Sequence, residues 1–322
     1  MLKKTRNIAV FIVIACLLMI KVLSNKETAQ VSSDWGQQCT NVKCLWNRKS
    51  QNKVKIALID TGVDVNKHIL KSVIWKNEDE IQNNLDDDSN GYIDDLSGWN
   101  FLENRPLEMN DTKDLHGTMC ADVIERCSNG EIEIMVLKVL DPENDNRGKC
   151  IDIINAIRYA ERNGAAICNL SLCSYVKNSM LKKAIQDSKM LFVVPAGNSD
   201  CMGENIDIHK VYPASYNLDN VITVTSIDEN NERSYQANYG KKTVDIAAPG
   251  AHIYSRVLSG KYIEGTSFAV SYVTAIAGLI MQYKKLDAIS TKKWIIKSTK
   301  SYEALDCEVK QGKVLYVNNK LM

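Results

Sequence analysis

Apolar runs of strand length alternate with amphipathic helical segments from Lys53 onward. Strands are predicted at 53–59, 133–140, 165–170, 190–194, 221–225 and 244–247. Helices are predicted at 152–163, 179–188 and 267–283, and a further helix begins at Ser290 or Thr291. Strands and helices that alternate at these lengths form a mainly parallel sheet covered on both faces. The pattern therefore predicts a three-layer α/β fold, in which catalytic groups gather at the carboxyl ends of the strands.

The first 24 residues depart from this pattern. Basic residues precede an apolar run at 8–20, which is too short for a hydrocarbon core of about 30 Å. This arrangement predicts a secretory signal peptide, with Val22 and Ser24 at its cleavage site, and an uncleaved signal anchor is the alternative. Both predict a secreted or extracellular protein, and the second adds a membrane tether through the N-terminus.

Three segments follow the predicted signal. Residues 25–52 are polar and predict a short, weakly structured linker. Residues 53–300 carry the alternating pattern and predict one α/β domain, on which residues 301–322 pack as a C-terminal tail.

Charge and composition narrow the function classes. The 322 residues include 40 Lys and Arg against 39 Asp and Glu, and the net charge is +1. Such a balance excludes the broad basic field that non-specific binding of nucleic acid requires. With 45% hydrophobic and 25% charged residues the composition is that of an ordinary globular protein. Nothing in the pattern predicts an oligomer.

Ten cysteines in an exported chain predict disulfide bonds. Cys120 and Cys127 cannot pair, because they lie about 10 Å apart on one predicted helix. Cys168 and Cys173 cannot pair either, because they lie about 16 Å apart along one predicted strand. The sequence has no Cys-x-x-Cys pair, which argues against a structural zinc site.

Four short motifs stand at the ends of strands or the starts of helices. Asp60 closes the first strand, and His116 opens a helix in Leu-His-Gly-Thr. Asn198 follows a strand in Pro-Ala-Gly-Asn, and Ser267 opens the longest helix in Gly-Thr-Ser-Phe-Ala. A serine becomes nucleophilic when an imidazole takes its proton, a carboxylate orients the imidazole, and an amide stabilises the oxyanion. The motifs therefore predict Ser267 as nucleophile, His116 as base, Asp60 as its orienting group and Asn198 as oxyanion donor.

These motifs, in this order, resemble those of the subtilisin-like serine peptidases, the subtilases. Asn-Leu-Ser-Leu at 169–172, Tyr-Pro-Ala-Ser at 212–215 and Asp-Ile-Ala-Ala-Pro-Gly at 245–250 extend the resemblance, which runs from Val54 to Trp294. It implies a subtilisin-like fold and a serine endopeptidase that acts on peptides or proteins without a catalytic cofactor. Subtilases commonly carry a folded prodomain, and residues 25–52 are too few to build one. Unaided folding, a separate helper chain and a membrane tether all remain open.

The chain departs from the family pattern beside its catalytic residues. After the catalytic His-Gly-Thr the family usually has His-Val-Ala-Gly, whereas this chain has Met-Cys-Ala-Asp at 119–122. Glu264 and Ser271 replace a Ser and a Pro around the nucleophile, and Cys173 stands where a Gly is usual. None of these changes removes a catalytic group, so an active enzyme is favoured. A non-catalytic subtilase acting as a binding module and a peptide ligase are the alternatives.

An acidic insertion lies between Asp60 and His116. Oxygen ligands at calcium-loop spacing are offered by Asp86, Asp88, Asn90, Asp94 and the main-chain carbonyl of Tyr92. The twelfth loop position is Ser97 instead of Glu, so the loop is not a complete EF-hand. The insertion predicts a structural calcium ion, and a solvated acidic turn is the alternative.

The resemblance also implies an extended substrate held between residues 146–150 and 171–173. The candidate substrate-binding residues are Ser171, Leu172, Cys173, Cys150 and Val211. Val211 stands near the pocket floor, where family members with deep pockets often have Gly, so we expect small or medium apolar residues at the cut. Cys150 and Cys173 flank the groove, and a disulfide bond between them would close it.

Overall fold

The chain folds around a central sheet of ten strands. The computed structural model describes residues 35–48, 50, 52–65, 67–108, 111, 115–140, 148–200 and 202–322. The strands are β1 (Val54–Asp60), β2 (Gly98–Asn100), β3 (Arg105–Pro106), β4 (Ile132–Lys138), β5 (Ile167–Leu170), β6 (Leu191–Pro195), β7 (Val221–Ile227), β8 (Ile246–Pro249), β9 (Ile253–Ser255), β10 (Lys261–Ile263), β11 (Lys300–Ser301) and β12 (Lys313–Val314). The helices are α1 (Trp35–Thr40), α2 (His116–Ser128), α3 (Cys150–Arg162), α4 (Ser179–Asp187), α5 (Thr266–Lys284) and α6 (Ala288–Lys297). Every strand and helix predicted from the hydrophobic pattern is present, with bounds shifted by a few residues.

The sheet confirms the predicted α/β architecture. Its strand order is β11-β12-β8-β7-β6-β5-β1-β4-β2-β3. The central strands run parallel, and only β3 and β11 at the two edges pair antiparallel with their neighbours. The carboxyl ends of β1, β5 and β6 therefore meet at one edge of the sheet. A separate antiparallel hairpin, β9 and β10, leads into α5.

Alternate residues of each strand pack into two apolar layers. Ile56 and Leu58 of β1 belong to the layer that contains α2 and α5, whereas Ala57 and Ile59 belong to the layer that contains α3 and α4. Helix α5 is apolar around nearly its whole circumference because it lies inside its layer. Among the described residues α5 alone is long and apolar enough to cross a membrane, and its side chains are almost all buried in the core.

The segment before β1 is more ordered than the sequence indicates. Residues 35–45 form α1 and a 3-10 turn, in which Val42 and Leu45 are fully buried. The Trp35 indole Nε1 donates to the carbonyl oxygen of His252 at 3.1 Å. The expectation of a weakly structured linker is therefore wrong for 35–45, because three large apolar side chains fix it to the core. The predicted signal at 1–24 lies outside the described residues.

The expected disulfide bonds are absent from the part of the chain that the structure describes. None joins any of its eight cysteines, and Cys16 and Cys201 lie outside the described residues. Burial strongly raises the pKa of the Cys127 and Cys168 thiols, because a thiolate is poorly solvated inside the core. These two thiols behave as small hydrophobic side chains.

Candidate active site

Asp60 and His116 form a buried pair at the carboxyl edge of the sheet. Asp60 ends β1, and His116 is the first residue of α2. His116 Nδ1 lies 2.7 Å from Asp60 Oδ1, which also accepts from the backbone N–H of Thr61 at 2.7 Å. Both side chains are less than 5% exposed. The carboxylate thus fixes the orientation of the ring and can stabilise a positive charge on it.

A glycine permits the helix to begin this close to Asp60. A Cβ atom on Gly117 would lie 2.2 Å from the carbonyl oxygen of Gly62 and 3.2 Å from Asp60 Oδ1. No side chain fits in that space. The Gly117 N–H donates instead to Thr61 Oγ1 at 3.2 Å, which fixes the start of α2 against the turn after β1.

Ser267 stands in the first turn of α5, beside the Asp60–His116 pair. It is 1% exposed, and the neighbouring Phe268 ring lies 6.0 Å from the His116 ring, centroid to centroid. Ser267 Oγ makes no hydrogen bond within the described residues, while Ser171 Oγ and Ser271 Oγ both donate to its carbonyl oxygen. The hydroxyl is therefore not held by another group of the described residues. In enzymes without substrate, the hydrogen bonds of catalytic groups are often long or poorly aligned and shorten only when substrate binds.

Asn198 reaches the same place from the end of β6. Its Oδ1 accepts from the N–H of Thr266 at 3.2 Å, which directs its Nδ2 away from that contact. A Cβ on Gly265 would lie 3.8 Å from this Nδ2, and Gly265 itself has φ +154°, a conformation that favours glycine. The side-chain amide thus lies directly before α5, and the four predicted residues lie in one region of the fold.

Cys120 also lies beside the pair. It is one helical turn after His116, and its Sγ lies within 4.8 Å of a ring nitrogen of His116 and a carboxylate oxygen of Asp60. The spacing in the sequence predicts this shared face, yet Asp60 already engages the His116 ring. The thiol therefore serves as packing behind the imidazole.

Two interactions that support the site have no motif in the sequence. The first is buried Lys138, whose Nζ donates to the carbonyl oxygens of Thr61, at 2.8 Å, and Asp111. Since Lys138 pairs with Asp60 across β1 and β4, it holds the turn that follows Asp60. In the sequence, the position of Lys138 at the end of an apolar strand is the signal that could have indicated this supporting role.

The second interaction is the buried carboxylate of Asp122, in the position where the family pattern has Gly. Asp122 is fully buried, and its carboxylate accepts from Arg256 Nε at 2.6 Å and from the Arg256 backbone N–H at 3.2 Å. Arg256 also pairs with Glu125. The sequence offers no signal for this pair, because its members are 134 residues apart.

Four of the five candidate substrate-binding residues lie on two adjoining segments, and the fifth, Cys150, is the first residue of α3. Residues 171–173 follow β5, and the backbones of Ser174 and Tyr212 exchange two hydrogen bonds of 2.8 Å, which places Val211 against that segment. Ser171, Leu172 and Val211 are at most 1% exposed. Asn146 and Arg147, part of the opposite segment, lie outside the described residues.

No disulfide bond joins Cys150 to Cys173 in this structure, so the groove is not closed by such a bond. Burial raises the pKa of the Cys150 thiol to about 11, which keeps it protonated at neutral pH and slows its oxidation.

The acidic insertion folds around three carboxylates. Oxygens of Glu80, Asp86 and Asp88 lie within 4.8 Å of one another. Glu80 is only 4% exposed, and its Oε2 has no hydrogen-bond partner in the described residues. A buried, unpartnered carboxylate oxygen beside two further carboxylates is costly without a cation. The residues fit a hard cation bound through oxygen. Sequence reasoning missed Glu80, which precedes the calcium-like spacing.

The other predicted ligands have different surroundings. Asn90 donates through Nδ2 to Asp88 and Asp95, and the Asp94 carboxylate accepts from the N–H groups of Asn83 and Asn84. Asp94 is thus outside the three-carboxylate group.

The Tyr92 side chain fastens the insertion to the domain. Its ring packs edge-on against Trp99, Phe101 and Tyr159 at centroid distances of 4.8–5.9 Å. The acidic loop is therefore held on an aromatic cluster at the sheet edge.

Comparisons with known proteins agree with this geometry. A family model described as "Subtilase family" matches residues 51–314. The chain is 30% identical over 263 residues to "Thermitase" of Thermoactinomyces vulgaris, covering 77% of this chain and 82% of that protein. It is 31% identical over 255 residues to "Major intracellular serine protease" of Bacillus subtilis, covering 75% and 72%. It is also 31% identical over 280 residues to "Subtilisin-like protease 1" of Plasmodium falciparum, of which it spans only 40%.

Solved structures support the fold. The chain superposes on a structure described as a lanthipeptide protease with TM-score 0.68 and 21% identity, covering 90% of this chain and 92% of that one. A cold-adapted subtilisin-like serine proteinase matches with TM-score 0.63 and 22% identity, covering 84% and 92%.

Proposed function

Because the chain belongs to the subtilase family of serine proteases, we propose that it cleaves peptide bonds through an acyl-enzyme on Ser267, outside the cell or tethered to its surface. It is a subtilisin-like serine endopeptidase, whose substrates are peptides or proteins. The observation that carries the proposed mechanism is the 2.7 Å contact between His116 Nδ1 and Asp60 Oδ1, next to the helix that begins with Thr266 and Ser267.

In this mechanism the Ser267 oxygen attacks the carbonyl carbon of the scissile bond, and His116 Nε2 takes the serine proton. Asp60 stabilises the resulting imidazolium through Nδ1. The negative charge that develops on the carbonyl oxygen is bound by Asn198 Nδ2 and by the N–H groups that open α5, which have no partner within the helix. When the carbon–nitrogen bond breaks, Nε2 gives its proton to the leaving amine. Water then hydrolyses the ester, with His116 again acting as base.

A fluorophosphonate probe tests the nucleophile. We expect it to label the folded wild-type protein at Ser267, and to leave Ser267→Ala and heat-unfolded protein unlabelled. Peptide cleavage should disappear in the same variant. Absence of labelling in folded protein would favour a non-catalytic binding module. Transfer of the acyl group to an added amine in preference to water would favour the peptide ligase.

We propose a structural calcium ion held by Glu80, Asp86 and Asp88. Subtilases often bind structural calcium, and the support in this chain is the buried, unpartnered Glu80 Oε2 within the three-carboxylate group. The ion would neutralise that group and stabilise the insertion, and it takes no part in the chemistry.

Thermal unfolding tests the calcium proposal. We expect calcium to raise Tm in the wild type and a chelator to lower it. At 100 times Kd the stabilisation amounts to about 2.7 kcal/mol. Glu80→Gln should lose this response, whereas exposed Glu78→Gln should keep it. Identical curves with calcium and with chelator would leave a solvated acidic turn.

Export is supported by the basic start and the apolar run at 8–20. The relatives do not decide it, since one of them is described as intracellular. Fractionation of cells that express the full chain, followed by N-terminal sequencing, tests the proposal. Protein beginning near Asn25 in the medium would indicate a cleaved signal, and intact protein in the membrane fraction a tether. An intact chain confined to the cytosol would overturn export.

A further inference from the structure

Positive charge is concentrated on one part of the domain. Residues 284–300 contain six lysines and a single carboxylate, Asp287. Residues 35–48 contain Lys43 and Arg48 and no carboxylate. Since the whole chain has nearly equal numbers of basic and acidic residues, this is a local excess of charge and not a property of the chain. Local excess of one sign steers a protein toward a surface of the opposite sign.

The C-terminal residues join these two segments into one surface. Asn41 Nδ2 donates to the carbonyl oxygen of Val317 at 2.8 Å. One residue later, the N–H of Asn318 donates to Ser298 Oγ at 2.8 Å. The exposed lysines of this surface, named here the basic face, are Lys43, Lys293, Lys297, Lys300 and Lys320.

Half-buried aromatic rings lie between these lysines. Lys300 Nζ stands 3.8 Å above the Tyr316 ring, and Lys43 Nζ lies 5.6 Å from the Trp46 ring. Trp294 Nε1 donates to the carbonyl oxygen of Leu321 at 3.4 Å, which leaves the indole body beside the C-terminus. Lysines interleaved with partly exposed Trp and Tyr are typical of surfaces at a bilayer interface, where rings and lysine stems meet headgroups.

Helix α1, where the described chain begins, ends at this face. The carbonyl oxygen of Thr40, at the end of α1, accepts from the N–H of Val317 at 2.8 Å. The apolar run at 8–20 is followed by only 14 residues before Trp35. A stretch of that length reaches at most about 50 Å when fully extended. A tether at 8–20 would therefore hold α1, and the basic face at its end, near the bilayer.

We propose that the basic face docks on an anionic bilayer surface while the N-terminal run holds the chain to that membrane. This proposal rests on the tethered form of the proposed function. The tether favours a bilayer over a nucleic acid, because it brings the headgroups to this face and offers the half-buried rings an interface. Each lysine near an anionic surface strengthens binding about five-fold, and salt weakens the attraction within a Debye length.

The test uses the full chain inserted into two kinds of vesicle, phosphatidylcholine alone and an equal mixture with phosphatidylglycerol. An amine-reactive reagent and mass spectrometry report how far each lysine is covered. We expect Lys43 and Lys300 to be labelled at least about five-fold less in the anionic vesicles. High salt should restore their labelling. Exposed Lys189 should be labelled equally in both kinds of vesicle.

A matched pair of triple variants separates the face from general charge. Lys293→Gln with Lys297→Gln and Lys320→Gln should abolish the protection of Lys43 and Lys300. The control, Lys76→Gln with Lys189→Gln and Lys241→Gln, removes the same charge from exposed sites elsewhere and should keep it. Both variants should cleave a soluble peptide at the wild-type rate, so failure of docking is distinguishable from failure of catalysis.

Equal labelling in the two kinds of vesicle would overturn the proposal, as would protection that survives in the first triple variant. Protection by a soluble DNA duplex, without protection by anionic vesicles, would assign the face to nucleic acid instead.

Discussion

Replacing Gly117 by Ala tests how the fold positions the base. The added Cβ would lie 2.2 Å from the carbonyl oxygen of Gly62. Carbon and oxygen approach to about 3.3 Å at the closest in ordinary contacts, so the two backbones must separate by about 1 Å. His116 precedes Gly117, and its Nδ1 now lies 2.7 Å from Asp60 Oδ1. A shift of that size takes the pair beyond hydrogen-bonding distance.

Two effects of this substitution oppose each other. Ala is better than Gly in a helix interior by about 1 kcal/mol, so intrinsic propensity alone predicts a more stable protein. Overpacking against the Gly62 turn costs about 1–3 kcal/mol, which outweighs the gain in helix propensity, so the substitution should destabilise the protein. A misplacement of about 1 Å in a catalytic group can cost about 100-fold in rate, which equals about 2.7 kcal/mol of transition-state stabilisation. We therefore expect kcat/KM to fall about 100-fold and Tm to fall with it.

Peptide hydrolysis and thermal unfolding of purified variants provide the measurement. Gly278→Ala is the matched control, because it also adds a methyl group to a helical glycine. There the nearest atoms are side-chain methyl groups of Ile56, Ile132 and Ile167 at 3.3–3.9 Å, which can adjust. The control should keep full activity. If Gly117→Ala were as active as wild type and more stable, the close approach would not position His116.

Three further outcomes are expected. Val211→Gly should open the pocket floor and shift cleavage of a peptide library toward larger apolar residues. The difference in transition-state free energy between larger and smaller residues should change by about 1–3 kcal/mol. An unchanged preference would show that Val211 does not form the floor. Arg256→Gln leaves buried Asp122 without its closest partner, so it should lower the free energy of unfolding by about 2–3 kcal/mol in denaturant titrations. The control, Lys183→Gln in an exposed ion pair, should change the free energy of unfolding by less than about 1 kcal/mol. Peptide hydrolysis should proceed at one rate with and without a reductant, because Cys150 is in no disulfide bond; activation by the reductant would contradict this.

The sequence predicts the elements that carry strong periodic signals. Strands such as β1 and β6 are continuous apolar runs, and catalytic residues at their ends could be placed because parallel strands share a carboxyl edge. The short strands β3, β11 and β12, which lie at or next to the edges of the sheet, have two residues each, which is too short for any pattern. The order in α1 was also missed, because it comes from Trp35 packing on a distant part of the chain.

Site features that depend on long-range packing are likewise beyond the sequence pattern. Asp86 and Asp88 could be selected from their local spacing, but Glu80 joins them only because the loop folds back on itself. The Glu80 carboxylate accepts from the N–H of Asp87 at 2.5 Å, a contact that no spacing rule contains. Val211 could be placed near the substrate pocket only through the family resemblance.

The departures from the family pattern bear on whether the site has degenerated. Asp122 is six residues after His116 in α2, where the pattern has Gly, and a buried carboxylate without a partner would cost several kcal/mol. Its partner Arg256 follows β9, and β10 then leads within four residues to Ser267. The ion pair therefore joins the helix that carries the base to the hairpin that leads to the nucleophile. Arg256 therefore offsets the cost of the buried carboxylate that stands where the family pattern has Gly. The departure at position 122 is therefore compatible with an active site and does not by itself indicate a degenerate one.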